Sequence, residues 1–150
     1  YTAYQAALGR RILSRFDTIC ESRRNHSDQI RDRLASVEDV ELPRILEGSK
    51  PVMNQFPVCL PDRQRRDNAL DRIVATGLEA TRLYPDPVHR VYDTIWDGRG
   101  PDPYPEATQI SERLLLLPVH PLVSRTTLEK ALDALVDVLC SGTAREALAR

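Results

Sequence analysis

RLLLLPVHPLVSRTTLEKAL, residues 113–132, is the stretch from which the fold can be read. Leu114, Leu115, Leu116 and Leu117 form a run too short to span a membrane and too apolar for a surface turn, so they are expected to make a strand buried on both faces. Pro118 and Pro121 offer no backbone N–H; they end the ladder and hold His120 in a stiff, extended connection. A helix follows at once. Its start is set either by Ser124, with Val123 and Leu128 as a hydrophobic staple, or by Thr126, with Glu129 completing a capping box. Leu128, Leu132, Leu135, Val136 and Leu139 then share one helical face, and Lys130 falls on the other.

The bulk composition is that of an ordinary folded chain. With 150 residues, one domain is expected, burying ~70% of its unfolded surface. A hydrophobic content of 41%, a charged content of 29% and a net charge of −1 give no global attraction to nucleic acid or to a membrane. Cys20, Cys59 and Cys140 are odd in number and far apart, which fits reduced thiols of a cytoplasmic protein better than a disulfide framework. No stretch approaches the ~20 apolar residues of a membrane helix. Residue 1 is Tyr and lies inside a helical pattern, so the chain is expected to start mid-protein.

Upstream of the leucine strand, Tyr4, Leu8, Ile12, Phe16 and Cys20 recur at helical spacing, and Ile30 and Leu34 keep the phase. One long helix over residues 2–35 is therefore expected, of the kind that bridges two bodies. Its interleaved arginines and carboxylates read as a solvated, salt-bridged surface. Val40 and Leu42 can form a short edge strand. Residues 53–60 are a strand, which Pro57 restricts to an edge or a bulge. Residues 61–77 are a helix capped by Asp62 or Asp67, with Leu70, Ile73 and Val74 inward, Gly77 as its stop, and DRQRRD as a solvated first turn. Residues 78–84 are a further strand. The least regular stretch, YPDPVHRVYDTIWDGRGPDPYP, carries five of eleven prolines, three of five tyrosines and the single Trp. Such loops are more often functional than idle. Pro105 opens a short helix to Ile110, and Ser141 and Gly142 end the last helix before a loose tail over residues 143–150. The sum is an α/β fold: a small antiparallel or mixed sheet with helices packed on one face, preceded by a long N-terminal linking helix.

Catalytic templates are missing. There is no G-x-S-x-G, no glycine-rich phosphate loop, no HExxH and no Cys/His pair at ligand spacing. His26 reads as a surface residue. His89 and His120 sit in proline-flanked loops, where each ring serves either a cleft or a structural hydrogen bond. The two lysines, Lys50 on a turn and Lys130 on an exposed helix face, lack the desolvated pocket that makes an amine nucleophilic.

Three stretches taken together, YQAALGRRILSRFDTICESRRNHSDQIRDRL, NQFPVCLPDRQRRDNALDRIVATGLEATRLYPDPVH and SERLLLLPVHPLVSRTTLEKALDAL, resemble the C-terminal part of the DegT/DnrJ/EryC1/StrS family. These are pyridoxal-phosphate-dependent enzymes, mostly aminotransferases of nucleotide-linked keto-sugars. The resemblance implies fold type I, with residues 1–36 as the linking helix and 37–150 as the small C-terminal α/β domain. It implies that the Schiff-base lysine lies upstream, so that this chain holds no catalytic and no cofactor-binding residue of its own. It also implies a homodimer using pyridoxal phosphate, a nucleotide-sugar and an amino donor. Members often read His-Tyr-Pro-Pro-Leu-His where this chain reads LYPDPVH, and His89 matches without adjustment. By that resemblance His89, Tyr84 and Asn54 are the candidate substrate-binding residues, and His120 is a support of the domain junction. The alternative from the residues alone is a stand-alone, non-catalytic α/β module that binds a ligand or partner.

Overall fold

The structure, a computed structural model, describes residues 2–82, 84 and 86–147, of which 142–147 are described by backbone alone. Two antiparallel strands form the sheet, β1 (Gln55–Cys59) and β2 (Leu114–Pro118), in the register Phe56↔Leu117, Pro57↔Leu116 and Val58↔Leu115. Phe56, Val58, Leu60, Leu115, Leu117 and Val119 are fully buried on one face. Against that face pack α3 (Arg63–Ala75) and α6 (Arg125–Ala147), through Ala69, Ile73, Leu128, Leu132 and Leu135. Ile30 and Leu34 of α2 (Phe16–Leu34) close the core. The leucine run is thus the buried strand expected of it.

Pro57 is tolerated because of the ladder's phase. Cys59 exchanges both backbone hydrogen bonds with Glu41, so odd-numbered residues of β1 point their peptide groups away from β2, and the N–H that Pro57 lacks faces the outer edge. On the far side of β2, Leu116 exchanges the same pair of bonds with Thr81. The two flanking strands expected around Val40 and over residues 78–84 are therefore single bridges, at Glu41 and Thr81. Leu83 and Pro85, within or beside the second of these, lie outside the described residues, as do Tyr1 and the tail residues 148–150.

The helix expected over residues 2–35 is two helices, α1 (Ala3–Leu13) and α2. At the break the Ser14 hydroxyl donates to the Arg11 carbonyl at 2.9 Å and the Arg15 N–H bonds Ile12. The carbonyl one turn back is thereby taken by a side chain, and the helix tightens and stops. α1 buries no residue, leaving Tyr4, Leu8 and Ile12 exposed, and Phe16 at the start of α2 is exposed as well. α6 begins after Ser124, whose hydroxyl accepts from the Thr127 N–H, with Val123 and Leu128 buried as the staple. It does not end at Ser141 and Gly142: the Ser141 hydroxyl bonds the Asp137 carbonyl within the helix, and a helical glycine costs only ~1 kcal/mol. In α3 the cap is Asp62, accepting from the Arg65 N–H at 2.7 Å, and Gly77 follows the helix at φ 91°. Its inner face is rotated from the expected one. Val74 is exposed and Arg66 takes the buried position, held by the carbonyl of Ser111 (3.0 Å) and the carboxylate of Asp67 (2.7 Å). The first turn is thus not wholly solvated. Among the described residues no helix is long and apolar enough to cross a membrane.

Candidate functional site

The proline-rich stretch is organised around one carboxylate. Pro87 precedes the single turn α4 (Val88–Val91), and Pro105 opens α5 (Pro105–Arg113) from its first position. Between them Asp102 sits two residues before Tyr104, the spacing at which an Asp side chain accepts the following N–H, here at 2.8 Å. Three side chains converge on the same group. The Thr108 hydroxyl donates to it at 2.6 Å, the Arg90 guanidinium at 3.1 Å, and His89 Nε2 lies 2.9 Å away. A carboxylate can only accept, so the proton of the imidazole is on Nε2. The Thr108 hydrogen bond above all, then the Tyr104 N–H and the charges of His89 and Arg90, hold the Asp102 carboxyl below its ordinary value against the opposing effect of burial.

Aromatic rings wall this knot. His89 lies 5.2 Å from the Tyr104 ring and 5.8 Å from the Trp96 ring, both tilted, and the Arg90 guanidinium stands 5.7 Å above Trp96. Trp96 Nε1 donates to the Arg99 carbonyl, and Gly98 and Gly100 take positive φ where the loop reverses. The loop is a constructed object with a polar centre.

The three candidate substrate residues occupy different settings. His89 is buried, with its Nε2 engaged by Asp102 and Thr108. Tyr84 is 66% exposed, just past the Thr81 bridge. Asn54 is exposed at the entrance to β1, its carbonyl taken by Arg23 Nη1 at 2.9 Å. Among the described residues no hydrogen bond, ion pair or ring contact joins these three. His120 is half-buried, and its carbonyl accepts from Val123. His26, expected on the surface, is half-buried instead, because Nδ1 reaches the Val119 carbonyl at 3.2 Å and ties α2 to the end of β2. The residues that sequence reasoning missed are Asp102, Thr108 and Arg66. The pair Asp102 and Tyr104 ahead of a proline-opened helix was a usable signal for the first.

Chemically, these residues can bind and orient. Burial pushes the Cys59 thiol up from its ordinary value, with Arg113 acting in the other direction, so no activated nucleophile stands there. Among the described residues no three His, Cys, Asp or Glu side chains are placed to hold a metal ion. Lys50 and Lys130 are both exposed, and neither is the enclosed amine that a Schiff base to pyridoxal phosphate needs. An open cleft of about 910 Å³ lies between α2 and α6, but the ion pairs Arg33–Asp133 and Arg125–Glu129 already neutralise much of its wall.

A family model, that of the DegT/DnrJ/EryC1/StrS aminotransferase family, matches residues 1–136. No curated protein sequence matches the chain. Among solved structures it is similar to DesV of S. venezuelae in complex with a ketimine intermediate, at 26% identity and TM-score 0.74, over 89% of this chain and 35% of that one. It is also similar to the aminotransferase TlmJ from Streptoalloteichus hindustanus, at 24% identity and TM-score 0.76, over 92% and 36%. A further similarity is to Spr1654 from Streptococcus pneumoniae, described as a sugar aminotransferase and solved in its PLP form, at 18% identity and TM-score 0.75, over 91% and 35%. The chain spans about a third of the length of these solved structures.

Proposed function

The chain belongs to the DegT/DnrJ/EryC1/StrS aminotransferase family, and from that premise we propose that it is the small C-terminal domain of a pyridoxal-phosphate-dependent enzyme acting on nucleotide-linked keto-sugars. On this reading the Schiff-base lysine is supplied upstream of residue 1, residues 1–36 link the two domains, and the working enzyme is a cytoplasmic homodimer of fold type I. The observation that carries it is the family match over residues 1–136, to which the likeness to DesV and TlmJ adds the fold. Pyridoxal phosphate would supply the electron sink for moving an amino group. The residues described here would shape the substrate side.

Within that division of labour Tyr84 and Asn54 offer exposed polar groups to the nucleotide-sugar. His89 acts as a positioning residue: its Nε2–H is committed to Asp102, and its ring fixes Trp96 and Tyr104. A loop held this way gives up little freedom when a ligand arrives. Two measurements test the proposal. The reading frame upstream of Tyr1 is expected to encode a larger domain containing the lysine; a start codon there would leave a stand-alone module instead. The full-length protein, given pyridoxal phosphate, glutamate and a nucleoside-diphosphate keto-sugar, is expected to yield an aminated sugar nucleotide by mass spectrometry. A panel of such sugars left unaminated would overturn the activity.

A further inference from the structure

Arg24, Ser27, Asp28 and Arg31 share one face of α2, and the connection preceding β1 crosses over it. Between helix and connection lies a cavity of about 220 Å³, whose charged wall is Arg24, Asp28, Arg31 and Lys50. Most of its polar groups are already committed. Arg31 is paired with Asp28 at 3.0 Å, the Ser27 hydroxyl donates to the Arg23 carbonyl, and the Ser49 hydroxyl donates to Leu46. Arg24 and Lys50 are not. Arg24 Nε is buried without a hydrogen-bond partner among the described residues, and Lys50 has no carboxylate within ion-pair distance among them.

A buried donor with no acceptor is rare and costly, and two like charges facing one small space repel. A single oxyanion relieves both. The cavity is smaller than the ~300 Å³ at which drug-sized ligand pockets begin, yet it has room for a tetrahedral anion and a few waters at ~30 Å³ each. Guanidinium N–H groups match oxyanion geometry, and an ammonium adds a point charge without directional demand. The turn that carries Lys50 is fixed by Gly48 at φ 76° and by the Ser49 N–H on the Leu46 carbonyl, so the cation is presented from an ordered backbone.

We propose that this cavity binds one phosphate group, with Arg24 donating through Nε and Lys50 closing the site from the turn. The site stands on α2 and its facing connection, and does not depend on the sugar-aminotransferase reading. The test is isothermal titration of the full chain with inorganic phosphate and, separately, with glucose 1-phosphate, at constant ionic strength. Saturable binding is expected that weakens as salt is raised. Binding of both marks the phosphate group of a larger ligand, and binding of inorganic phosphate alone marks the free ion. Lys50→Gln, on an exposed turn where folding is not at stake, should weaken that component about tenfold or more, as should Arg24→Gln, the loss of one charge-assisted contact each. Lys130→Gln on α6 should leave it unchanged. The Arg24 Nε–Hε NMR signal should move with the same titration. Absence of saturable binding, equal binding in the Lys50→Gln and Arg24→Gln variants, or an unmoved Arg24 signal would each overturn the site.

Discussion

Replacing Arg66 by Met tests whether a buried arginine, rather than an apolar contact, locks α3 to the junction of α5 and β2. The side chain is 1% exposed, with Nη1 3.0 Å from the Ser111 carbonyl and 3.4 Å from that of Leu114, and Nε 2.7 Å from Asp67. Methionine keeps much of the stem's packing and removes every donor. The Ser111 carbonyl, left buried without its partner, should cost ~1–3 kcal/mol, and the longer Leu114 contact adds little. Asp67 is half-exposed and keeps Arg63 and Arg82 within ion-pair distance, so its loss is worth at most ~1 kcal/mol. The total is about 2 kcal/mol, which for a domain of this size lowers the melting temperature by about 4–8 °C. Arg66→Lys should fall between, since an ammonium reaches one acceptor and not the fork. Thermal unfolding followed by circular dichroism reads the effect. An Arg66→Met protein melting within about 1 °C of the parent would refute the reasoning and return Arg66 to the status of a burial without consequence.

Other expectations follow from the loop and from the two lysines. The 150-residue chain mixed with pyridoxal phosphate should keep no visible absorbance after dialysis, and retained colour that vanishes in Lys50→Ala would contradict this. On the proposed function, His89→Ala in the full-length protein should leave the cofactor bound and lower kcat/KM for the nucleotide-sugar about tenfold or more; an unchanged value in a folded variant would remove His89 from the substrate side. Asp102 has its carboxyl held below the ordinary 3.8, so the stability it lends the loop is complete above that pH and is lost as pH falls below 3.8 towards the folded value. The emission of Trp96, the chain's single tryptophan, should therefore stay flat from neutral pH down to about 4 and shift below it, whereas Asp102→Asn should show the shifted emission already at pH 7. A full transition in the parent between pH 7 and 5 would assign the control to another group.

What could be read from the sequence was what depends on near neighbours. Four leucines between a helix and two prolines fix a buried strand, and Ser124 and Asp62 cap helices because the acceptor and the N–H it meets are three residues apart. The break at Ser14 was missed although it is local, because the apolar stripe keeps its phase across a tightened turn. The flanking strands are shorter than their β-compatible residues suggest: among the described residues beside the sheet, Glu41 and Thr81 alone form bridges to the ladder. Arg66 was unreadable within DRQRRD. A guanidinium can be buried only where carbonyls from elsewhere await it, and Ser111 and Leu114 lie far along the chain. The partners of His89 were unreadable for the same reason, since its ring meets Asp102 in the loop before α5 and Thr108 within that helix.

These distant partners are not independent of one another. Arg66 holds the Ser111 carbonyl, the Ser111 hydroxyl donates to the Thr108 carbonyl, the Thr108 hydroxyl donates to Asp102, and Asp102 receives His89. One hydrogen-bonded run thus leads from the core of α3, along α5, to the loop beside Tyr84. Its members should couple, because removing one leaves its neighbour polarised by fewer partners or buried without any. A loop that owed its shape only to prolines and aromatic packing would show additive effects instead. The decisive comparison is Asp102→Asn and His89→Gln, singly and together, read by amide exchange across α4. If the double variant exchanges no faster than the worse single one, the two side chains act as a unit in holding the loop, as the positioning role proposed for His89 requires. If the increases multiply, each side chain stabilises the loop on its own account and the positioning role assigned to His89 fails.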